Sequence, residues 1–534
     1  MPEFLTDWGL LIITFVPLAG ALVMMLIPQG SEETHKQVSL FASLVALALG
    51  VWYLIDFDYD AAGSLQYVVD ESWIEVINSR LIMGLDGMSL PLLLLTVFVM
   101  PLVFIYSWDH IPHPGNAKAF LILMLILETG MIGTFLAQDL ILFFVFFEVV
   151  LLPMFFMIAV WGGEDRRYAS LKFFLYTLFG SALMLLGFLA LFFLSKDPAT
   201  GELMRTFDMR ALSDVAGAGI VRSSQLLIFG GMFLGFGVKV PLFPFHTWLP
   251  DAHTQAPTQG SVILAAVLLK LGTYGFIRIA IPMLPEAAEA WAPWIGLFAV
   301  IGIIYGALGC LAQTDMKRLI AFSSVAHMGF VMLGIATLTD FGINAAIFGM
   351  VAHGLITGML FFIAGSVKER YHTLEIDRLG GMLVQAPKLG WILGFTAMAS
   401  LGLPGLAGFW GEFPAILSAY QPANGVPVET FRGYMVIAAI GTVLAAGYLL
   451  WLLQRTAMGE PSEEFANDPE IVDVKRNEWI AWAPFLFLIV LFGVAPGLIF
   501  EVTDPAVVES LDNCLQLEGG CEGVAAAAQA ALGG

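Results

Sequence analysis

GVKVPLFPFHTWLPDAH, residues 237–253, decides what kind of fold the chain adopts. It continues an apolar run, yet it brings one lysine, three prolines and two histidines into what otherwise reads as a membrane-spanning helix. Pro241 has no N–H, and its ring clashes with the carbonyl four residues back, at Gly237; Pro244 does the same to Val240. Freed backbone in lipid is tolerated only where it is buried in protein or faces a water-filled cavity. The stretch therefore predicts a spanning helix that breaks beside Lys239, inside protein, offering polar backbone to a charged side chain.

The rest of the chain sets that helix among many others. Of 534 residues, 59% are hydrophobic and 13% charged, against roughly 25% charged in ordinary soluble proteins. A span needs about 20 mostly apolar residues. Segments of that kind lie near 9–28, 38–56, 88–107, 118–136, 138–160, 169–194, 225–245, 257–281, 293–312, 319–337, 342–366, 389–418, 432–454 and 479–500. The expected fold is all-α, a polytopic transmembrane bundle of about fourteen helices. Connectors are short apart from those near 57–82, 195–224 and 456–478, and alternating strand patterns are absent, which argues against a barrel.

The first segment carries Glu3 and Asp7 and no basic cluster, so it reads as a retained helix rather than a cleaved signal. Lysines and arginines favour the odd-numbered connectors by roughly two to one. That bias predicts a multi-pass protein of a bacterial inner membrane with both termini periplasmic. The formal charge of -21 argues against a nucleic-acid partner and leaves the lipid bilayer as the surroundings. Cys310 falls within a helix as a packing residue. Cys514 and Cys521 fall on the oxidising side, where a local disulfide and two free thiols both fit.

Ionisable groups at the bilayer centre cost at least about 2.5–3.5 kcal/mol each on insertion scales, so they call for a function. Six stand near helix centres: Glu148 in FFVFFEVVLLPMFF, Lys239, Lys270 in AAVLLKLGTYGF, His327 in FSSVAHMGFVML, His353 in FGMVAHGLITGML, and Glu412 after LGLPGLAGFWGEF. Groups at a common depth form a row in the membrane plane, so a transport route through them needs separate inlets and outlets to each face. LGLPGLAG repeats the helix-breaking device ahead of Glu412, and paired interrupted helices point to an ion-handling site in each half of a transporter. Glu148 precedes Lys239 by 91 residues and His327 precedes Glu412 by 85. Residues 118–281 and 282–455 are therefore expected to be two inverted five-helix repeats, preceded by three helices in 1–117 and followed by 456–534, a loop, a last helix and an acidic tail.

Blander readings stand beside these. Glu148 and Lys239 also fit a structural ion pair, Lys270 a fixed counter-charge, and the two histidines satisfied core residues. Glu128, central in segment four, either joins the row or stands apart from it. His246, Asp251 and His253 fit helix capping and solvent access better than a metal site, and Arg278 is expected to snorkel from a helix end. Phosphate loops, clustered cysteines and nucleophile elbows are absent from the sequence, so redox chemistry is expected on a partner.

The stretches LILFFVFFEVVLLPMFFMIAVWGG, GVKVPLFPFHTWLPDAHTQAPTQGSVILAAVLLKLGTYGFIR, QTDMKRLIAFSSVAHMGF and LGLPGLAGFWGEF resemble the antiporter-like subunits of proton-pumping NADH:quinone oxidoreductase, respiratory complex I. Within that family Glu412, where sibling chains usually carry lysine, is similar to the chain M branch, the mitochondrial subunit 4 type. The resemblance implies that Glu148 pairs with Lys239, that Lys270 is the relay lysine, that His327 and His353 connect, and that Glu412 stands near the outlet. It also implies partners in other membrane subunits, sibling antiporter-like chains included. FMN, iron–sulfur clusters and quinone are then expected on those partners, and no cofactor in this chain. A sodium/proton antiporter subunit, the membrane subunit of a membrane-bound hydrogenase and a passive scaffold are the competing expectations.

Overall fold

The computed structural model describes residues 2–466 and 468–512; Cys514 and Cys521, and the disulfide question with them, lie outside the described residues. Four helices open the chain: α1 (Pro2–Leu26), α2 (Glu32–Asp56), α3 (Leu90–Ser107) and α4 (Ala117–Leu136). Between α2 and α3 the connector folds back as an antiparallel hairpin, β1 (Gln66–Ile74) and β2 (Ser79–Leu85), with Val69 opposite Met83 and Glu71 opposite Leu81. This pair was not expected. Its turn residue Asn78 sits in the left-handed region at φ 53°, a conformation that asparagine tolerates. Ile82, Met83 and Leu85 are buried, and the Asp139 carboxylate accepts from the Ser79 hydroxyl (3.0 Å) and the Arg80 N–H (3.0 Å).

Next come α5 (Leu140–Val149), α6 (Leu151–Trp161), α7 (Arg166–Leu194) and a short α8 (Met209–Asp214). The α5–α6 pair is one span with a joint at Val150; Pro153 removes the N–H that the Val149 carbonyl would have used. The segment of the opening stretch appears as α9 (Arg222–Lys239) and α10 (Trp248–Gln255), with the break after Lys239. The following span runs from 258 to 283. It alternates α11 (Thr258–Ile263), a π turn (Leu264–Leu268), α12 (Leu269–Gly275), a second π turn (Phe276–Ala280) and α13 (Ile281–Met283).

The remainder comprises α14 (Pro285–Leu311), α15 (Met316–Ala336), α16 (Asp340–Tyr371), a short α17 (Met382–Gln385), α18 (Pro387–Ser400), α19 (Ala407–Ser418), α20 (Val428–Thr456), α21 (Arg476–Val494) and α22 (Gly497–Asp512). Segment 389–418 is thus two helices, parted at 401–406, where Gly402 (φ 73°) and Gly405 (φ 93°) adopt backbone that other residues rarely enter. The last span ends at Val494, before Pro496, and the chain then forms α22 where a tail was expected. Asn344 of α16 holds that helix, donating to Asp504 (2.7 Å) and accepting from Thr503 (2.6 Å).

Twelve helices among the described residues are long and apolar enough to cross a membrane. The two interrupted pairs, α9–α10 and α18–α19, fall outside that set. The core is formed by α15, α16 and the 258–283 span, which are buried along nearly their whole apolar windows. Around them α1, α7 and α20 present Leu22, Phe179, Leu186 and Val443 outward, an apolar rim suited to lipid tails.

Candidate functional site

Lys239 is the last residue of α9, and its side chain is buried. The carbonyls around the break are taken by protein donors: Gly237 accepts from the Leu242 N–H (2.8 Å) and Val238 from the Trp248 indole (2.9 Å). This corrects the expectation that Lys239 would use the freed backbone. Its ammonium lies instead 4.6 Å from the centre of the Phe147 ring, a cation–π contact worth on the order of 2 kcal/mol when desolvated.

Glu148 follows Phe147 at the α5–α6 joint and is half-buried, with Oε1 unpartnered and the carboxylate beside Ser181 of α7. Among the described residues no ion pair joins it to Lys239, although the two charges lie within electrostatic reach.

Lys270 sits between the two π turns and is fully buried. Such turns put extra backbone into a helix and recur at functional sites. Here the ammonium donates back to the Ala265 carbonyl in the first π turn and lies 2.7 Å from Nδ1 of His353 on α16. Gly272, two residues along, packs so closely on α9 that a Cβ there would stand 3.0 Å from the Lys239 Cβ. The absence of that carbon is what brings the Lys239 and Lys270 helices together.

His327 of α15 lies 6.0 Å from His353, ring centre to ring centre. Its Nδ1 is 2.5 Å from Oε1 of Glu412, and its Nε2 lies within hydrogen-bond reach of the Ser400 (3.1 Å) and Tyr448 (3.2 Å) hydroxyls. With Glu412 ionised, Nδ1–H donates to the carboxylate and the single Nε2 lone pair accepts from one of the two hydroxyls. Between the two histidines is a cavity of about 20 Å³, bordered also by Thr357, Ser400 and Glu412. It offers room for about one water molecule. The buried Nε2 of His353 has no protein partner, and the cavity beside it has room for a water.

Four of the six sequence-selected groups therefore form a near-continuous line, Lys270, His353, His327 and the partly buried Glu412, and Lys239 stands on the helix packed against that of Lys270. Glu148 flanks Lys239. The structure adds Ser400 and Tyr448, common hydroxyl residues with no distinguishing spacing. It adds His253 as well. Rather than facing solvent, His253 is fully buried, stacks on Phe361 at 4.4 Å, and has neither ring nitrogen partnered. Lys317, buried alongside, donates to the Ala256 carbonyl at the end of α10 (2.5 Å).

His246 and Asp251 turn to other partners. His246 stacks on Phe243, while Asp251 binds Lys172 (2.7 Å) and Arg318 (3.6 Å). Arg278 does not snorkel: it is partly buried and ion-paired with Asp86, with Nε donating to the Tyr274 hydroxyl (3.0 Å). Glu128 stands outside the line and accepts from Ser43.

Two interrupted helices that deliver ionisable groups to a buried line define a membrane ion translocator of the antiporter-like class. Residues 137–437 match the family described as NADH:quinone oxidoreductase/Mrp antiporter, TM, and residues 61–134 match NADH-ubiquinone oxidoreductase chain 4, amino terminus. The chain belongs to this family of NADH:quinone oxidoreductase membrane subunits. It is 41% identical to NADH-quinone oxidoreductase subunit M of Rhodobacter capsulatus over 94% of this chain and 96% of that protein. Its structure is similar to a chain in respiratory complex I from Thermus thermophilus (TM-score 0.82, 27% identity, 95% and 99% covered). A chain of the Mrp complex from Dietzia sp. DQ12-45-1b shares the fold (TM-score 0.79, 19% identity, 95% and 98% covered).

Proposed function

We propose that this chain is the proton-translocating membrane subunit of an NADH:quinone oxidoreductase, moving protons along Lys239, Lys270, His353, His327 and Glu412 under the control of Glu148. The observation that carries this reading is the buried chain of contacts from Lys270 through His353 and His327 to Glu412, with space for a water at its single gap. Its subunit relatives and its family membership support the same reading.

Each proton moved against 100 mV requires about 2.3 kcal/mol, a scale that rearranging one buried ion pair meets. When Glu148 closes on Lys239, the ammonium is held by an opposite charge. When the pair separates, the ammonium loses that support, and its proton is released towards Lys270. Charge arriving from a neighbouring subunit beside the half-buried Glu148 is the switch. The chain acts in a bacterial inner membrane, with both termini periplasmic, against sibling membrane subunits. FMN, iron–sulfur clusters and quinone belong to its partners, so it is an enzyme subunit without a redox centre of its own.

Glu148→Gln keeps the shape and removes the charge. In the assembled complex it is expected to abolish proton pumping and much of the coupled turnover. An unchanged number of protons per electron would overturn the reading and favour a passive scaffold. Sodium-dependent exchange without NADH-linked subunits in the purified complex would favour the antiporter alternative.

A further inference from the structure

Glu128 is the one central carboxylate that the line above does not use. It lies on α4, eleven residues from one end of a twenty-residue helix, and is fully buried where α1, α2 and α4 meet. One oxygen accepts from the Ser43 hydroxyl of α2 (2.8 Å); the other, Oε2, has no partner. No lysine, arginine or histidine lies within ion-pair distance of it among the described residues. An ionised carboxylate in that setting would bury a charge with a bare oxygen, which in an apolar interior costs far more than burying the neutral acid.

The buried face of α2 leads from this acid towards one membrane face. His35, Ser39 and Ser43 recur every four residues on that face, spanning about 12 Å at 1.5 Å per residue. His35 is fully buried with both ring nitrogens unpartnered. It stands one turn inside the α1–α2 connector, next to Lys36, which pairs with Glu32 one turn back (2.8 Å). Ser39 donates to the Lys36 carbonyl (3.0 Å), which leaves its oxygen lone pairs free to accept. At the other end, α4 meets the helix of Glu148: a Cβ on Gly130 would lie 2.6 Å from the Val150 side chain at the α5–α6 joint.

We infer that Glu128 and Ser43 form a second proton-binding site, separate from the main line, loaded from the α1–α2 connector through His35 and the serine stripe of α2. Its ligand is a proton rather than a metal ion, since one carboxylate and one hydroxyl are too few oxygens to replace a cation's hydration shell. The Glu128 carboxyl is a proton store beside the joint that carries Glu148. Its state changes the field at that joint without placing Glu128 on the conduction path.

The test is infrared spectroscopy of membranes holding the full chain in its native complex. Subtracting the Glu128→Gln spectrum is expected to reveal one carbonyl band of a protonated carboxyl that shifts on transfer to heavy water. His35→Leu is expected to keep the band and slow its deuteration about a hundredfold, the order of effect of a positioned proton-transfer group. An identical Glu128→Gln spectrum overturns the site, and unchanged deuteration in His35→Leu overturns the route.

Labelling of the unaltered chain with a hydrophobic carbodiimide decides the matter independently of any variant's assembly. A protonated carboxyl gives its proton to a carbodiimide nitrogen while its oxygen bonds the central carbon, and an oxygen-to-nitrogen acyl shift leaves an N-acylurea. The peptide containing Glu128 is expected to carry that adduct; an unlabelled peptide overturns the proposal. None of these outcomes depends on whether the main line pumps.

Discussion

Gly411 offers a way to move Glu412 without changing its chemistry. Helices α16 and α19 touch at Gly349 and Gly411, and a Cβ built on Gly411 would lie 2.5 Å from the Gly349 Cα and 3.0 Å from its nitrogen. Carbon atoms in ordinary contact are about 3.5–4.0 Å apart, so Gly411→Ala drives α19 back by about 1 Å. The His327–Glu412 distance of 2.5 Å then opens to about 3.5 Å, beyond a useful hydrogen bond. Overpacking of this size costs about 1–3 kcal/mol of stability. A 1 Å displacement of reacting groups costs about a hundredfold in rate.

The assay is redox-driven proton uptake in proteoliposomes holding the assembled complex, run beside Gly394→Ala, where an added Cβ meets nothing within 4 Å. Gly411→Ala is expected to lose coupled proton movement by about two orders of magnitude, while Gly394→Ala is expected to match the unaltered protein. Full pumping by an assembled Gly411→Ala complex would refute the claim that the His327–Glu412 contact carries protons.

Buried Asp86 accepts from the Met88 and Ser89 N–H groups at the start of α3 and pairs with the mostly buried Arg278. Asp86→Ala is expected to cost about 3–5 kcal/mol by leaving that guanidinium unpaired; thermal unfolding of the purified complex measures this, and adding Arg278→Met is expected to recover most of the loss. His110, in the connector after α3, lies 2.8 Å from the Glu369 carboxylate. Burial pushes its imidazole down, but the Glu369 hydrogen bond and charge together outweigh that and hold it above its ordinary value. The stabilisation is therefore complete below the unfolded value near 6.5 and is lost as pH rises through the higher folded value. His110→Gln is expected to increase proteolysis of the 108–116 connector at low pH and to change little at high pH.

The helix breaks were legible because their causes are local: Pro241 and Pro244 act on their own α9 carbonyls, and Gly402 and Gly405 on their own turn. The members of the line were legible because lysine, histidine and glutamate stand out in apolar sequence. Their pairing was less so. Glu148 and Lys239 form no ion pair among the described residues, and Lys239 lies over the Phe147 ring instead, an outcome set by how α5 and α9 pack rather than by either segment alone. Ser400 and Tyr448 reach His327 from 73 and 121 residues away, and one serine or tyrosine in a helix looks like any other. Arg278 finds Asp86 across 192 residues, so an end-of-helix position suggested lipid headgroups where the fold supplies a carboxylate. The hairpin escaped because β1 and β2 match each other only across Asn78, and one strand alone shows no steady alternation.

Lys270 is the most direct place to test the whole account, because among the described residues its ammonium hydrogen-bonds to the Ala265 carbonyl and His353 alone. The decisive measurement is the number of protons translocated per electron by the assembled complex carrying Lys270→Met. A ratio below that of the unaltered complex, with NADH-linked electron transfer still measurable, is the predicted result; an unaltered ratio would contradict it.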